Sequence, residues 1–311
     1  MPPSGAGNWD FKLPSDPFNL INVLWYGLAV GLLITWLVRT RWGKESLSQS
    51  PVTHHSIGVI EILLVLYVLL LSTPIVGYGQ THVEDSRWHD NDFLYLLLIL
   101  TFLTGPICLF LPPIKAKIHS GYFGLFDTSL HKRLPAVLIY FITFQGLTML
   151  MLGITIAVCN RLGYEELQVH ETLDKLSSSP TWRESLFLAV PAILIAPVFE
   201  EFFFRGLLQT FLIRLPGLLV LWMKPPSQGP ETQSFPIPPV TASAQWFGII
   251  ASSAAFVAFH DNWQHAPALF ILSLGLGYSY ERQGNLAVPI LIHAVFNMIP
   301  IALLLIFPES V

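Results

Sequence analysis

Residues 286–307 read LAVPILIHAVFNMIPIALLLIF, a run of 22 residues without Asp, Glu, Lys or Arg. A helix that spans a bilayer needs roughly 20 mostly apolar residues, so this run predicts a transmembrane helix. The chain around it has 311 residues, of which 53% are hydrophobic and 12% are charged. Because soluble domains average about 25% charged residues, this composition predicts an all-α protein that crosses the membrane several times.

Seven further apolar runs bring the expected number of transmembrane helices to eight. The predicted spans are 18–38, 56–76, 93–111, 135–159, 185–213, 244–260, 266–280 and 286–307. Pro191 and Pro197 predict a tilted or kinked fifth span, because proline removes a backbone donor. The tail 1–17 has one basic and two acidic residues, unlike a signal peptide, so 18–38 is expected to be a permanent helix. We therefore predict a polar tail (1–17), four N-terminal helices (18–159) and a C-terminal helical core (185–307).

The distribution of Lys and Arg predicts how the helices are oriented. With the N-terminus outside, the loops 39–55, 112–134, 214–243 and 281–285 contain ten basic residues, against five in the opposite loops and tails. The positive-inside rule therefore places those four loops in the cytoplasm. The basic residues form no cluster typical of nucleic-acid binding. Both cysteines, Cys108 and Cys159, lie in apolar runs, which argues against a disulfide framework and excludes a CxxC metal site.

Three of the last four predicted spans carry polar side chains that are costly to place in hydrocarbon. Such residues persist mainly where they face a bundle interior or a wet cavity, so they are functional candidates. They form the patterns EExxxR, FxxxH and HxxxN, with the members Glu200, Glu201, Arg205, Phe256, His260, His293 and Asn297. This set contains the groups that an enzyme needs to activate water inside a membrane.

Helix geometry suggests how the first pattern works. Glu201 and Arg205 are four residues apart and therefore share a helix face, which predicts an ion pair. Glu200 lies about 100° around the helix from Glu201 and has no obvious local partner. A carboxylate in apolar surroundings is suited to shuttle protons near neutral pH. We therefore expect Glu200 to be the general base, with Glu201 and Arg205 in support.

The other two patterns repeat the four-residue spacing. Phe256 is expected to pack under His260, and His293 shares a face with Asn297. An imidazole and an amide directed at one point can stabilise an oxyanion, and the imidazole can instead bind a metal. At 1.5 Å per residue, His260 lies about 24 Å from the start of its span and His293 about 10 Å from the start of its own. A shared site therefore requires helix tilt to bring the two histidines to one level.

The three patterns, in this order within membrane helices, resemble the CPBP family of intramembrane proteases, which is also called the Abi family. That family includes CAAX prenyl endopeptidases and proteins of bacteriocin processing or self-immunity. The resemblance covers about 185–307 and implies a helical endopeptidase that cleaves peptide bonds in a membrane cavity. It further implies that Glu200 and His260 activate water, while His293 and Asn297 stabilise the oxyanion. The first four helices carry no pattern that matches.

A metal is compatible with the same residues. Glu200, His260 and His293 together provide two imidazoles and one carboxylate, which is a plausible zinc shell with an open position for water. Against this, the three side chains lie on separate helices and lack the compact HExxH spacing. The sequence leaves both interpretations open.

Structural roles and other functions compete with the protease hypothesis. Glu201 and Arg205 can serve only to hold the bundle together. The protein can be a non-catalytic scaffold or an immunity factor, or a proton-coupled transporter, although transporters usually show internal repeats that this chain lacks. The expected partners are the lipid bilayer and a peptide or protein substrate, lipidated in the CAAX branch, and no nucleic acid. The expected location is the cytoplasmic membrane of a bacterium, with the cavity facing the cytoplasm.

Overall fold

The computed structural model of the chain describes residues 20–48, 50, 123–125, 130–164, 185–186, 189–223, 239–260 and 262–306. All regular structure in these ranges is helical, as predicted. The helices are α1 (Leu20–Arg39), α2 (Leu130–Arg161), α3 (191–223), α4 (Ala242–Ala258), α5 (Ala266–Gln283) and α6 (Ala287–Ile306). The predicted tail 1–17 and the predicted spans 56–76 and 93–111 lie outside the described residues, so the count of eight spans stays a prediction.

Within the described ranges, three helices are long and apolar enough to cross a membrane, namely α1, α2 and α6. The shorter apolar helix α4 does not reach that length. It ends at Ala258, and Phe259, His260 and residues 262–265 are not helical, with a turn at 263–265 directly before α5. Irregular backbone is tolerated at membrane depth where protein or a wet cavity surrounds it, as expected for this pair of helices.

Helix α3 alternates between two helical registers. It is built of a π-helical segment (Pro191–Ile195), an α-helical segment (Ala196–Glu201), a second π-helical segment (Phe202–Gln209) and a final α-helical segment (Thr210–Met223). π-Helical turns are rare in proteins, and those that occur are often found at functional sites. The helix continues past the predicted end of this span at residue 213 and ends at Met223, because the chain stays apolar beyond Arg214.

Three of the predicted cytoplasmic loops meet at one end of the bundle. Arg282 Nη1 donates to the Ser46 carbonyl at 2.9 Å, and Asn285 Nδ2 donates to the Gly124 carbonyl at 2.7 Å. The Leu286 amide donates to the Phe123 carbonyl at 2.9 Å. These contacts join the segment after α1, the segment before α2 and the C-terminal end of α5 with the residues that follow it, which the charge distribution had assigned to the same side of the membrane.

A polar layer lies just inside this end. Glu281 was expected in the loop 281–285, but α5 continues to Gln283 and buries Glu281 completely. Its two carboxylate oxygens accept hydrogen bonds from Gln209 Nε2 at 2.9 Å and Gln245 Nε2 at 3.2 Å. The expectation was wrong because these amides come from α3 and α4, and they supply donors that compensate for the burial of a carboxylate.

We expect Gly277→Ala to destabilise the protein by ~1–3 kcal/mol, because overpacking shifts side chains out of place. A Cβ atom at Gly277 would lie 2.6 Å from Gln209 Oε1 and disturb the polar layer. The thermal midpoint in detergent measures the effect. Gly153→Ala is the matched control, because a Cβ atom there meets nothing within 4 Å and alanine favours the helix. Equal midpoints for the two variants would contradict the predicted packing.

Candidate active site

The predicted ion pair of Glu201 and Arg205 is present in the structure and is buried. Arg205 Nε lies 3.0 Å from Glu201 Oε2, and the two side chains are 1% and 0% exposed. The contact is an ion pair without a directed hydrogen bond to Oε2. Arg205 Nη2 donates to the Ser273 hydroxyl at 2.8 Å and to the Ser273 carbonyl at 3.2 Å, which fixes the guanidinium against α5.

An aromatic ring covers the guanidinium. The central carbon of Arg205 lies 4.9 Å from the centroid of the Phe256 ring, within the range of a cation–π interaction. Phe256 is 1% exposed and comes from α4, so Arg205 connects α3 to both α4 and α5. Ser273 and the face of Phe256 as partners of Arg205 were not predicted, since neither is local to the EExxxR pattern.

The second carboxylate oxygen of Glu201 binds a histidine. His293 Nδ1 lies 2.8 Å from Glu201 Oε1, and both side chains are buried. Because a carboxylate can only accept, the imidazole donates its Nδ1 hydrogen. The sequence had paired Glu201 only with Arg205, because α6 is far away in the chain and its position depends on tertiary packing.

Glu200 faces the other nitrogen of the same ring. Glu200 Oε2 lies 3.8 Å from His293 Nε2, and the Glu200 side chain is 31% exposed. The adjacent glutamates therefore have different environments, because Glu201 is sealed in the core while Glu200 retains access to solvent. This difference favours Glu200 over Glu201 as the group that exchanges protons with water.

Phe256 brings the two histidines together. Its ring centroid lies 4.6 Å from that of His260 and 5.9 Å from that of His293. His260 follows the end of α4, and its Nδ1 lies 2.8 Å from the Phe256 carbonyl. That carbonyl is an acceptor, so Nδ1 carries the hydrogen and Nε2 is the nitrogen able to accept a proton. The packing of Phe256 under His260 thus agrees with the prediction, and both histidines pack on the same ring.

Asn297 lies one turn after His293 on α6, as the spacing requires. Its Nδ2 donates to the Ala192 carbonyl in the first π-helical segment at 3.0 Å. The sequence did not predict this bond, because nothing in the HxxxN pattern identifies a backbone partner on another helix. In this structure the amide is therefore bound to α3.

The wall beside His260 is aromatic. Phe204 lies edge-on to Phe256 and to Phe259, with ring centroids 5.1 Å and 5.5 Å apart, and Phe203 packs on Phe204 at 5.0 Å. These four rings, Phe203, Phe204, Phe256 and Phe259, form part of one hydrophobic cluster. We call them the aromatic wall.

The residues suggested for zinc fit a metal only in part. In both His260 and His293 an acceptor holds Nδ1, which leaves Nε2 for a ligand, as is usual for histidines that bind metals. However, the described ranges contain no group of three or more His, Cys, Asp or Glu side chains placed to hold a metal ion. The donor types suit zinc, but the three-ligand set is not assembled, and we derive no catalytic step through a metal.

Residues 182–299 match the family described as type II CAAX prenyl endopeptidase Rce1-like. All seven members of the three sequence patterns lie inside the matched range. This match supports the assignment of residues 182–299 to the CAAX protease (CPBP) family. No curated protein and no solved structure matches the chain. The family match and the apolar helices together indicate an integral membrane peptidase.

We expect Arg205→Met to destabilise the protein by about 3–5 kcal/mol, because it leaves Glu201 buried without its cation. The unfolding midpoint in detergent measures this loss. The matched control is Arg41→Ala in the ion pair of Arg41 and Glu45, whose side chains are 78% and 54% exposed. That substitution should cost about 0.5 kcal/mol or less. Similar losses in the two variants would contradict the structural importance of the buried pair.

Proposed function

We propose that the protein is an intramembrane endopeptidase that hydrolyses a peptide bond in a membrane-associated peptide or protein. The main support is the arrangement around His293, whose two ring nitrogens face Glu200 and Glu201, while His260 packs on the same Phe256 ring as His293. A purely structural ion pair needs Glu201 and Arg205 but gives no reason for a half-buried carboxylate and a second imidazole beside it.

Glu200 and His260 activate water in this proposal. The carboxylate of Glu200, aided by Nε2 of His260, takes a proton from water while the water oxygen forms a bond to the substrate carbonyl carbon. The tetrahedral intermediate then collapses, the C–N bond breaks, and the proton passes to the leaving amine. The partial exposure of Glu200 supports this role, since a base that acts on water must be reachable by it.

His293 stabilises the oxyanion. In this role His293 carries a hydrogen on both ring nitrogens throughout the reaction. Its Nδ1–H donates to Glu201, which orients the ring, and its Nε2–H donates to the oxyanion. Arg205 in turn neutralises Glu201, which allows this carboxylate to remain buried. The family resemblance adds Asn297 as a second donor, one helical turn further along α6.

The substrate we propose is a prenylated, CAAX-type C-terminal segment that reaches the active site from the membrane. The family description names prenyl endopeptidases. Phe204 and Phe256 of the aromatic wall are buried, while Phe203 and Phe259 are half-buried and offer an apolar surface for a lipidated or hydrophobic segment. We place the enzyme in the cytoplasmic membrane of a bacterium, with its cavity open toward the cytoplasm, in line with the distribution of basic residues.

Glu200→Gln and His260→Ala should each lower kcat by about 10²–10⁴-fold, because each removes a group that moves the proton of water. The measurement is cleavage of prenylated and unprenylated peptides by the protein in liposomes. Glu45→Gln and His131→Ala provide matched controls at exposed sites. They should retain wild-type rates, and faster cleavage of the prenylated peptides would support the proposed substrate.

Two results would count against this assignment. Cleavage that survives Glu200→Gln and His260→Ala would place the active site elsewhere. A biological activity that persists in Glu200→Gln, without peptide cleavage by the wild type, would favour a non-catalytic scaffold or immunity factor.

Treatment with a chelator should leave the cleavage rate unchanged, because the structure does not gather three ligands for zinc among the described residues. Elemental analysis of the purified protein measures the bound metal independently of activity. Loss of cleavage that added zinc restores, together with one equivalent of bound zinc, would instead establish Glu200, His260 and His293 as candidate ligands.

A further inference from the structure

The first π-helical segment leaves one backbone carbonyl without its regular partner. In this register each amide donates to the carbonyl five residues earlier, and the Ala196 amide accordingly donates to the Pro191 carbonyl. The next amide in the series, that of residue 197, would donate to the Ala192 carbonyl. Residue 197 is proline and has no N–H, so the register cannot supply this bond.

Asn297 fills this gap from the neighbouring helix. Its Nδ2 donates to the Ala192 carbonyl at 3.0 Å. Since Ala192 is half-buried in apolar surroundings, a hydrogen bond from another part of the protein stabilises its carbonyl. The side-chain amide of Asn297 thus takes the place of the backbone amide that Pro197 lacks.

The register of this segment affects the active site. Helical residues advance by about 100° each, so a change from π to α register turns the following residues relative to the preceding ones. Glu200 and Glu201 lie in the α-helical segment directly after the π-helical one. The same helix α6 that provides Asn297 also provides His293, which contacts both glutamates. The hydrogen bond between Asn297 and Ala192 therefore fixes α3 against α6, the helix whose His293 contacts both glutamates.

We propose that Asn297 is a positioning residue, which supplies the hydrogen bond missing at Pro197 and so sets the direction of Glu200 and Glu201 toward His293. This role differs from direct stabilisation of the oxyanion, which the family resemblance implies. Its consequence for activity rests on the proposed peptidase function, while its consequence for stability does not.

A second-site rescue tests the proposal. Asn297→Ala should lower kcat by about 100-fold, with KM changed little and the rate measured well below the unfolding midpoint. It should also lower that midpoint by about 2 °C or more. Pro197→Ala returns an N–H to the chain that can serve the Ala192 carbonyl. The double variant Pro197→Ala/Asn297→Ala should therefore recover at least tenfold in kcat and most of the midpoint.

Met298→Ala is the control for shortening a side chain of α6 next to Asn297, because Met298 is 42% exposed. A double variant as inactive as Asn297→Ala, alongside an active Pro197→Ala, would overturn the positioning role and favour the oxyanion role. A midpoint of Asn297→Ala equal to that of Met298→Ala would also overturn it. This second comparison holds even if Pro197→Ala does not fold. The midpoints can be measured without any cleavage, so a failure of the peptidase proposal can be distinguished from a failure of the positioning role.

Discussion

The buried charge cluster of Glu201, Arg205 and His293 is the constraint on which the rest of the site depends. A single unpaired charge in this interior would cost several kcal/mol, so each member requires the others. The cluster connects three helices, because Arg205 and Glu201 come from α3, Ser273 from α5 and His293 from α6. Because His293 binds the buried carboxylate of Glu201, folding also places its imidazole beside the neighbouring Glu200.

The two adjacent glutamates show how one helix can supply a structural and a chemical carboxylate. Glu201 is fully buried between a guanidinium and an imidazole, whereas Glu200 is partly exposed and lies 3.8 Å from His293 Nε2. Their roughly 100° separation around the helix is enough to place one carboxylate in the core and to leave the other partly exposed. Phe256 completes the arrangement, since one ring contacts Arg205, His260 and His293.

Polar side chains connect both π-helical segments of α3 to neighbouring helices. At the first segment, Asn297 of α6 donates to the Ala192 carbonyl. In the second segment, the side chain of Gln209 donates to the Gly277 carbonyl and the Glu281 carboxylate of α5. A regular α-helix satisfies its own backbone, so it needs no such partners in a membrane. A helix with π-helical turns gains the freedom to direct its side chains, but its register then depends on neighbouring helices.

The sequence by itself determined the helical membrane class, the ion pair of Glu201 and Arg205, and the resemblance of the C-terminal region to the CAAX protease family. These features depend on composition, on spacing within one helix and on three short patterns, all of which are local. Only the tertiary structure decided that Glu201 holds His293, that Asn297 binds Ala192, and that Glu281 is buried in α5 rather than exposed in a loop. Each of these contacts joins helices distant in the chain, and their packing fixes both the partners and the distances.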